Sequence, residues 1–91
     1  MKVEGELDGD VMVEIGVKIK QLRKGRRYSQ QELADRVGVS RRLIIDIEAG
    51  RGTSILVFVK ILKEFKKTDK LLEILSASSI SPKDMFNRAN K

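Results

Sequence analysis

Arg41 and Arg42 stand side by side, and Asp46 follows Arg42 at the spacing of one helical turn. An arginine guanidinium is a planar fork that fits two acceptors at once, either N7 and O6 of guanine on the major-groove edge or two oxygens of one phosphate. A carboxylate four residues on, on the same helical face, accepts from cytosine N4 or orients an arginine, and so close a pair favours the second role. Leu43 lies beside them, where it touches a thymine methyl group or packs inward. Arg41, Arg42, Leu43 and Asp46 are therefore candidates for contacts to DNA bases, and the two arginines could equally clamp a phosphate.

Other chemistry is poorly supplied. The 91 residues include no cysteine, which excludes disulfides and thiolate metal sites, and no histidine, which removes the commonest general base and metal ligand. No catalytic residue, metal or cofactor is expected. The net charge of +6 conceals an asymmetry. Residues 1–14 hold one lysine against five acids (Glu4, Glu6, Asp8, Asp10 and Glu14), so the remainder is more basic than the total. A basic body attracts polyanions, because each phosphate it neutralises releases condensed counterions.

The elements that must position these arginines are helical. Ser29 can cap a helix while Glu32 reaches back to the cap, Gly38 supplies a left-handed stop, Ser40 caps a second helix and Gly50 closes it. Residues 30–37 and 41–49 are thus two helices joined by a tight turn, a geometry that sets them at a steep angle and projects the second outward. Ahead of them, Met12, Ile15, Ile19 and Leu22 recur at helical spacing over residues 11–24, and Gly25 ends that helix. Arg26 and Arg27 follow in an exposed connection. Thr53 or Ser54 caps a fourth helix with Leu56, Val59, Leu62 and Phe65 on one stripe, widened by Val57, Phe58 and Ile61. Residues 69–75 form a fifth, and Ser81-Pro-Lys-Asp starts a short last one through Met85 and Phe86. The chain divides into an acidic flexible arm at 1–10, a helical domain at 11–76 whose centre is residues 29–50, and a tail at 77–91. No apolar run has the length of a membrane helix and no targeting segment is visible, so a cytoplasmic protein is expected.

The motifs Ile19-x-x-Leu22-Arg23, Ser29-Gln30-x-x-Leu33-Ala34, Gly38-Val39-Ser40 and Ile44-x-x-Ile47-Glu48-x-Gly50 closely resemble the helix-turn-helix of the phage repressor and Cro-like family, also called the xenobiotic-response-element family. The resemblance covers residues 15–75. It implies an all-α, five- or six-helix bundle of the lambda-repressor-like DNA-binding type that binds double-stranded DNA and regulates transcription as a repressor. By the same resemblance Gln30 bonds a phosphate from a helix start, Arg51 and Thr53 form a second phosphate clamp, and Arg23 and Glu48 form a salt bridge between the first helix and the end of the third. Ser40, Arg26 and Arg27 are placed with the phosphate contacts. Leu33, Ala34, Val39, Ile44 and Ile47 are core positions, and Ala34 must be small because two helices approach there.

One recognition helix reads only a few base pairs, so a homodimer on a palindromic operator is expected, with half-sites about 34 Å apart. Leu72, Ile74, Leu75, Ile80, Met85 and Phe86 are its natural surface. The Gly-Thr-Ser turn, the Leu-Leu-Glu-Ile-Leu run and the Ser-Pro-x-Asp-Met-Phe tail also resemble antitoxins paired with HipA-type toxins, which implies the alternative of a toxin protein partner. A coactivator-like bridging role is a third reading, and it predicts no specific operator.

Overall fold

The computed structural model describes residues 8–76, which form five α-helices with no strand among them. They are α1 (Asp8–Gly25), α2 (Gln30–Val37), α3 (Arg41–Glu48), α4 (Ile55–Glu64) and α5 (Thr68–Leu75). The all-α expectation holds. The tail at 77–91, with its short helix and the residues Ile80, Met85 and Phe86, lies outside the described residues, as do residues 1–7.

Local chemistry sets the helix ends. Ser29 Oγ accepts from the Glu32 N–H at 3.0 Å while the Ser29 N–H donates to Glu32 Oε1 at 2.8 Å, a complete capping box at the start of α2. Gly38 adopts φ 82° and donates its N–H to the Ala34 carbonyl, closing α2. Ser40 Oγ accepts from the Leu43 N–H at 3.1 Å to start α3, and Ser54 rather than Thr53 caps α4, accepting from the Val57 N–H at 3.2 Å. The flexible arm of 1–10 is corrected at its inner edge. Helix α1 begins at Asp8, and Asp8 and Asp10 sit in its first turn, where their carboxylates oppose the positive end of the helix dipole.

The core lies where α1, α2, α3 and α4 converge. Ile19, Leu33, Ala34, Val37, Ile44, Ile47, Ile61 and Phe65 are buried, and Ile15, Leu22, Tyr28, Val39, Val57 and Phe58 pack around them. Burying each of the large aliphatic side chains contributes about 1.5–3 kcal/mol. Helix α4 turns inward Phe65 of the expected stripe together with the widening residues Val57, Phe58 and Ile61, while Leu56 of the stripe stays exposed beside Ile55. Helix α5 packs on α4 and buries no residue, leaving Leu72, Ile74 and Leu75 exposed.

One residue of α1 decides how closely it meets α3. Gly16 is buried, and a Cβ built on it lies 2.6 Å from the Ile47 carbonyl oxygen and 2.7 Å from that of Glu48. These are backbone atoms at a helix end and cannot rotate aside. Overpacking against rigid backbone costs Gly16→Ala about 2–3 kcal/mol, the upper part of the usual range, and alanine regains roughly 1 kcal/mol of helix propensity, so a net loss of about 1–2 kcal/mol is expected. Thermal melting followed by circular dichroism should show a fall of about 5 °C or more. Gly9→Ala is the control, because nothing lies within 4 Å of a Cβ there, and its melting temperature should match or exceed that of the parent.

Candidate nucleic-acid interface

Helix α3 is short, and its two sides differ sharply. Ile44 and Ile47 are buried at 0% and 4% exposure, which fixes the rotation of the helix and turns Arg41, Arg42, Ile45 and Asp46 outward. Arg42 Nε stands 3.3 Å from Asp46 Oδ1, and Arg51 Nη1, from the loop after α3, donates to the same oxygen at 2.7 Å. The carboxylate thus draws a loop arginine back onto the helix face beside a helical one. Neither guanidinium is saturated by a single oxygen, so each keeps donors for an incoming acceptor. The Arg42 and Arg51 side chains are 74% and 60% exposed, so these pairs add little stability, and their effect is to orient. Arg41 is exposed and forms no ion pair among the described residues.

Behind this face lies a buried polar network. Arg23 Nε donates to Glu48 Oε2 at 2.7 Å and Arg23 Nη2 to Oε1 at 3.2 Å, a two-pronged pair whose side chains are only 9% and 4% exposed. The remaining prong, Nη1, donates to the Tyr28 carbonyl at 2.8 Å, in the connection from α1 to α2. Gln30 Nε2 donates to Glu48 Oε1 at 3.2 Å, so the first residue of α2 is tied to the last residue of α3. The Arg23–Glu48 bridge implied by the resemblance is present. The network holds the start of α2 in place, and the first N–H groups of α2 and of α3 have no intrahelical partner and favour an anion there.

The remaining expected residues divide. Ser40 is exposed beside Arg41 and uses its hydroxyl oxygen as the cap of α3. Leu43, expected at the bases, is half-buried and packs against the core. Ile45, four residues after Arg41 on the same face, is also half-buried but stands outside the core cluster. The signal for it was the 100° step per residue: once Ile44 and Ile47 face inward, Leu43 is carried toward the core and Ile45 away from it. Thr53 is half-buried and lines a small apolar cavity with Met12, Ile15 and Phe58. Arg27 is exposed at φ 60°, a left-handed turn residue. Arg26 is not brought to the α3 group, because its guanidinium stacks over the Phe65 ring, 5.6 Å from the centroid, beside α4. Among the described residues no group of acids is arranged to hold a metal ion, and no helix is long and apolar enough to cross a membrane.

A family model described as helix-turn-helix matches residues 19–72, a span that runs from the buried Ile19 through the network, the α3 face and the loop of Arg51. No curated protein and no solved structure matches the chain.

The network makes its own prediction. Glu48→Ala would strand Arg23 without a counter-charge in a position 7% exposed, and a cost of about 3–5 kcal/mol is expected from denaturant unfolding. The double variant Arg23→Met/Glu48→Leu should recover most of that loss, since it removes both charges and keeps the volume. A Glu48→Ala protein as stable as the parent would show that water replaces the carboxylate at no cost.

Proposed function

The chain belongs to the helix-turn-helix family and is a DNA-binding transcription regulator, and from that premise we propose that it is a repressor acting as a two-fold dimer on a palindromic operator, without an enzymatic step. The observation that carries this reading is the outward face of α3, where Arg41, Arg42 and the Arg51-bound Asp46 stand on a helix rotated by its own buried isoleucines. Arg41 and Arg42 meet base edges, with Ile45 against a thymine methyl group. Gln30, Ser40 and Arg51 bind phosphates on either side, Gln30 by the amide N–H that Glu48 does not use. Phosphate contacts set the register and base contacts set the sequence.

Dimerisation follows from the size of the reading head. A helix this short spans a few base pairs, too few for an operator, and a second copy doubles the site. The apolar residues left exposed on α4 and α5, namely Ile55, Leu56, Leu72, Ile74 and Leu75 at 58–78%, supply a face for that contact. The same face would suit a HipA-like toxin in the antitoxin reading, in which the chain also regulates its own operon and which an adjacent toxin gene would favour.

Binding should weaken steeply with salt. The three cations of this face, Arg41, Arg42 and Arg51, imply a log–log slope of about −3 per subunit between about 50 and 200 mM, and affinity that ignores salt would refute phosphate-led binding. Arg41→Ala and Arg42→Ala should relax sequence preference, by about 1–3 kcal/mol at the base pair each reads, while Gln30→Ala should weaken all sites about equally. Selection from a random duplex pool with each variant measures both effects. Light scattering on the full chain should give a dimer that Ile74→Glu converts to monomer. A parent monomer, still monomeric on palindromic DNA, would reject the dimer.

A further inference from the structure

A second basic surface lies apart from the α3 face. The connection after α1, the end of α2 and the second half of α4 enclose a groove of 580 Å³ in which Arg26, Arg36, Lys60, Lys63 and Lys66 surround one carboxylate, Glu64. Glu64 is already committed, 3.6 Å from Arg36 and accepting from the Tyr28 hydroxyl at 3.4 Å. The two arginines are held by aromatic faces, Arg36 at 4.4 Å from the Tyr28 centroid and Arg26 at 5.6 Å from that of Phe65. Stacking fixes each guanidinium plane and leaves its edge free to donate. The groove is therefore an arranged excess of positive charge, and it lies one to three turns along α4 from the loop that carries Arg51.

Opposite charge stands at the start of α1. Residues 1–14 carry Glu4, Glu6, Asp8, Asp10 and Glu14 against Lys2 alone. Asp8 and Asp10 are exposed in the first turn of α1, whereas Arg26 follows its last residue. At 1.5 Å per residue the 18 residues of α1 separate the two poles by about 27 Å. Asp8 and Asp10 belong to the helix, so they cannot reach the groove of their own chain.

We propose that the groove of Arg26, Arg36, Lys60, Lys63 and Lys66 receives the acidic α1 start of a second copy of this chain. Such a contact is heterologous, since the two copies use different surfaces, and it leaves a free acidic end and a free groove for further copies. It is distinct from the apolar two-fold contact of α4 and α5. The two together link neighbouring dimers, so that occupancy of one operator favours occupancy of the next. Being made of exposed charges, the head-to-tail contact is screened by salt where the apolar one is not.

Sedimentation velocity on the full chain tests it at about 30 mM and about 300 mM salt. The parent should form species larger than the dimer at low salt and lose them at high salt. Lys60→Glu/Lys63→Glu and Asp8→Lys/Asp10→Lys, neither of which touches α3, should each raise the dissociation constant of the larger species about ten-fold or more. Lys60→Gln/Lys63→Gln, which removes charge without reversing it, gives a smaller loss and serves where the reversed groove fails to fold by circular dichroism. Larger species absent from the parent at low salt, or unchanged in both reversals, would overturn the proposal. So would a groove variant that loses affinity for a single DNA half-site while its self-association is intact, since the groove would then serve phosphates. The two-fold dimer is read separately at high salt, so its failure leaves this result unaffected.

Discussion

The pairing of Arg23 with Glu48 is the constraint on which the rest of the structure depends. A buried ion pair carries a desolvation cost that its own attraction roughly offsets, so its value lies in what it aligns. Here each prong of Arg23 reaches a different element: Nε and Nη2 hold the end of α3 through Glu48, and Nη1 holds the connection to α2 through the Tyr28 carbonyl. Glu48 in turn holds Gln30 at the start of α2. Three chain segments are fixed to one another by a single guanidinium and a single carboxylate. Gly16 makes this possible, because the pair can close only if α1 comes within backbone contact of α3. Gly50 repeats the device one turn further on, at φ 85° and against Val13, where a Cβ would lie 2.8 Å from the Val13 Cα.

Fixing the end of α3 in this way frees its beginning. An eight-residue helix is too short to persist by itself, and it exists here because its inner face is buried and its last turn is clamped. The first turn then projects with Arg41 and Arg42 on it, while Asp46 holds the longer reach of Arg51 close to the same face. Arginine has many rotamers, and each one frozen on binding costs free energy. Holding two of them on one carboxylate before DNA arrives lowers that cost, at the expense of sharing a negative charge with the phosphates that approach.

Much of this was legible in the sequence because it follows from local rules. Ser29 with Glu32, Gly38, and Ser40 are capping signals read within four residues, and they locate α2 and the start of α3 to the residue. What was not legible depends on neighbours distant in the chain. The requirement at Gly16 comes from carbonyls more than thirty residues away, and nothing in the α1 pattern marks it. Leu43, by contrast, could have been placed from the sequence, since the 100° step carries it toward the core once Ile44 and Ile47 face inward. Arg26 reads as a loop arginine free to meet DNA, but the Phe65 ring at the end of α4 draws it away. The acids of the N-terminal segment suggested disorder by composition, whereas at a helix start the same charge favours order.

The surfaces left over follow from the size of the core. Eight buried apolar residues are enough to join four short helices around Leu33, Ile44 and Ile61, and α5 is left with only α4 to lie against. Its leucines and isoleucine therefore face outward together with the first residues of α4, an arrangement the chain cannot relieve among its described residues. Charge is divided in the same manner, with the arginines of α3 and the lysines of α4 presented from different elements and the acids placed at the start of α1. A domain this small has little surface in reserve. Because its buried polar network is spent on alignment, binding DNA must be done by residues the core does not need, and the charged and apolar surfaces left over are spaced along α1 and α4.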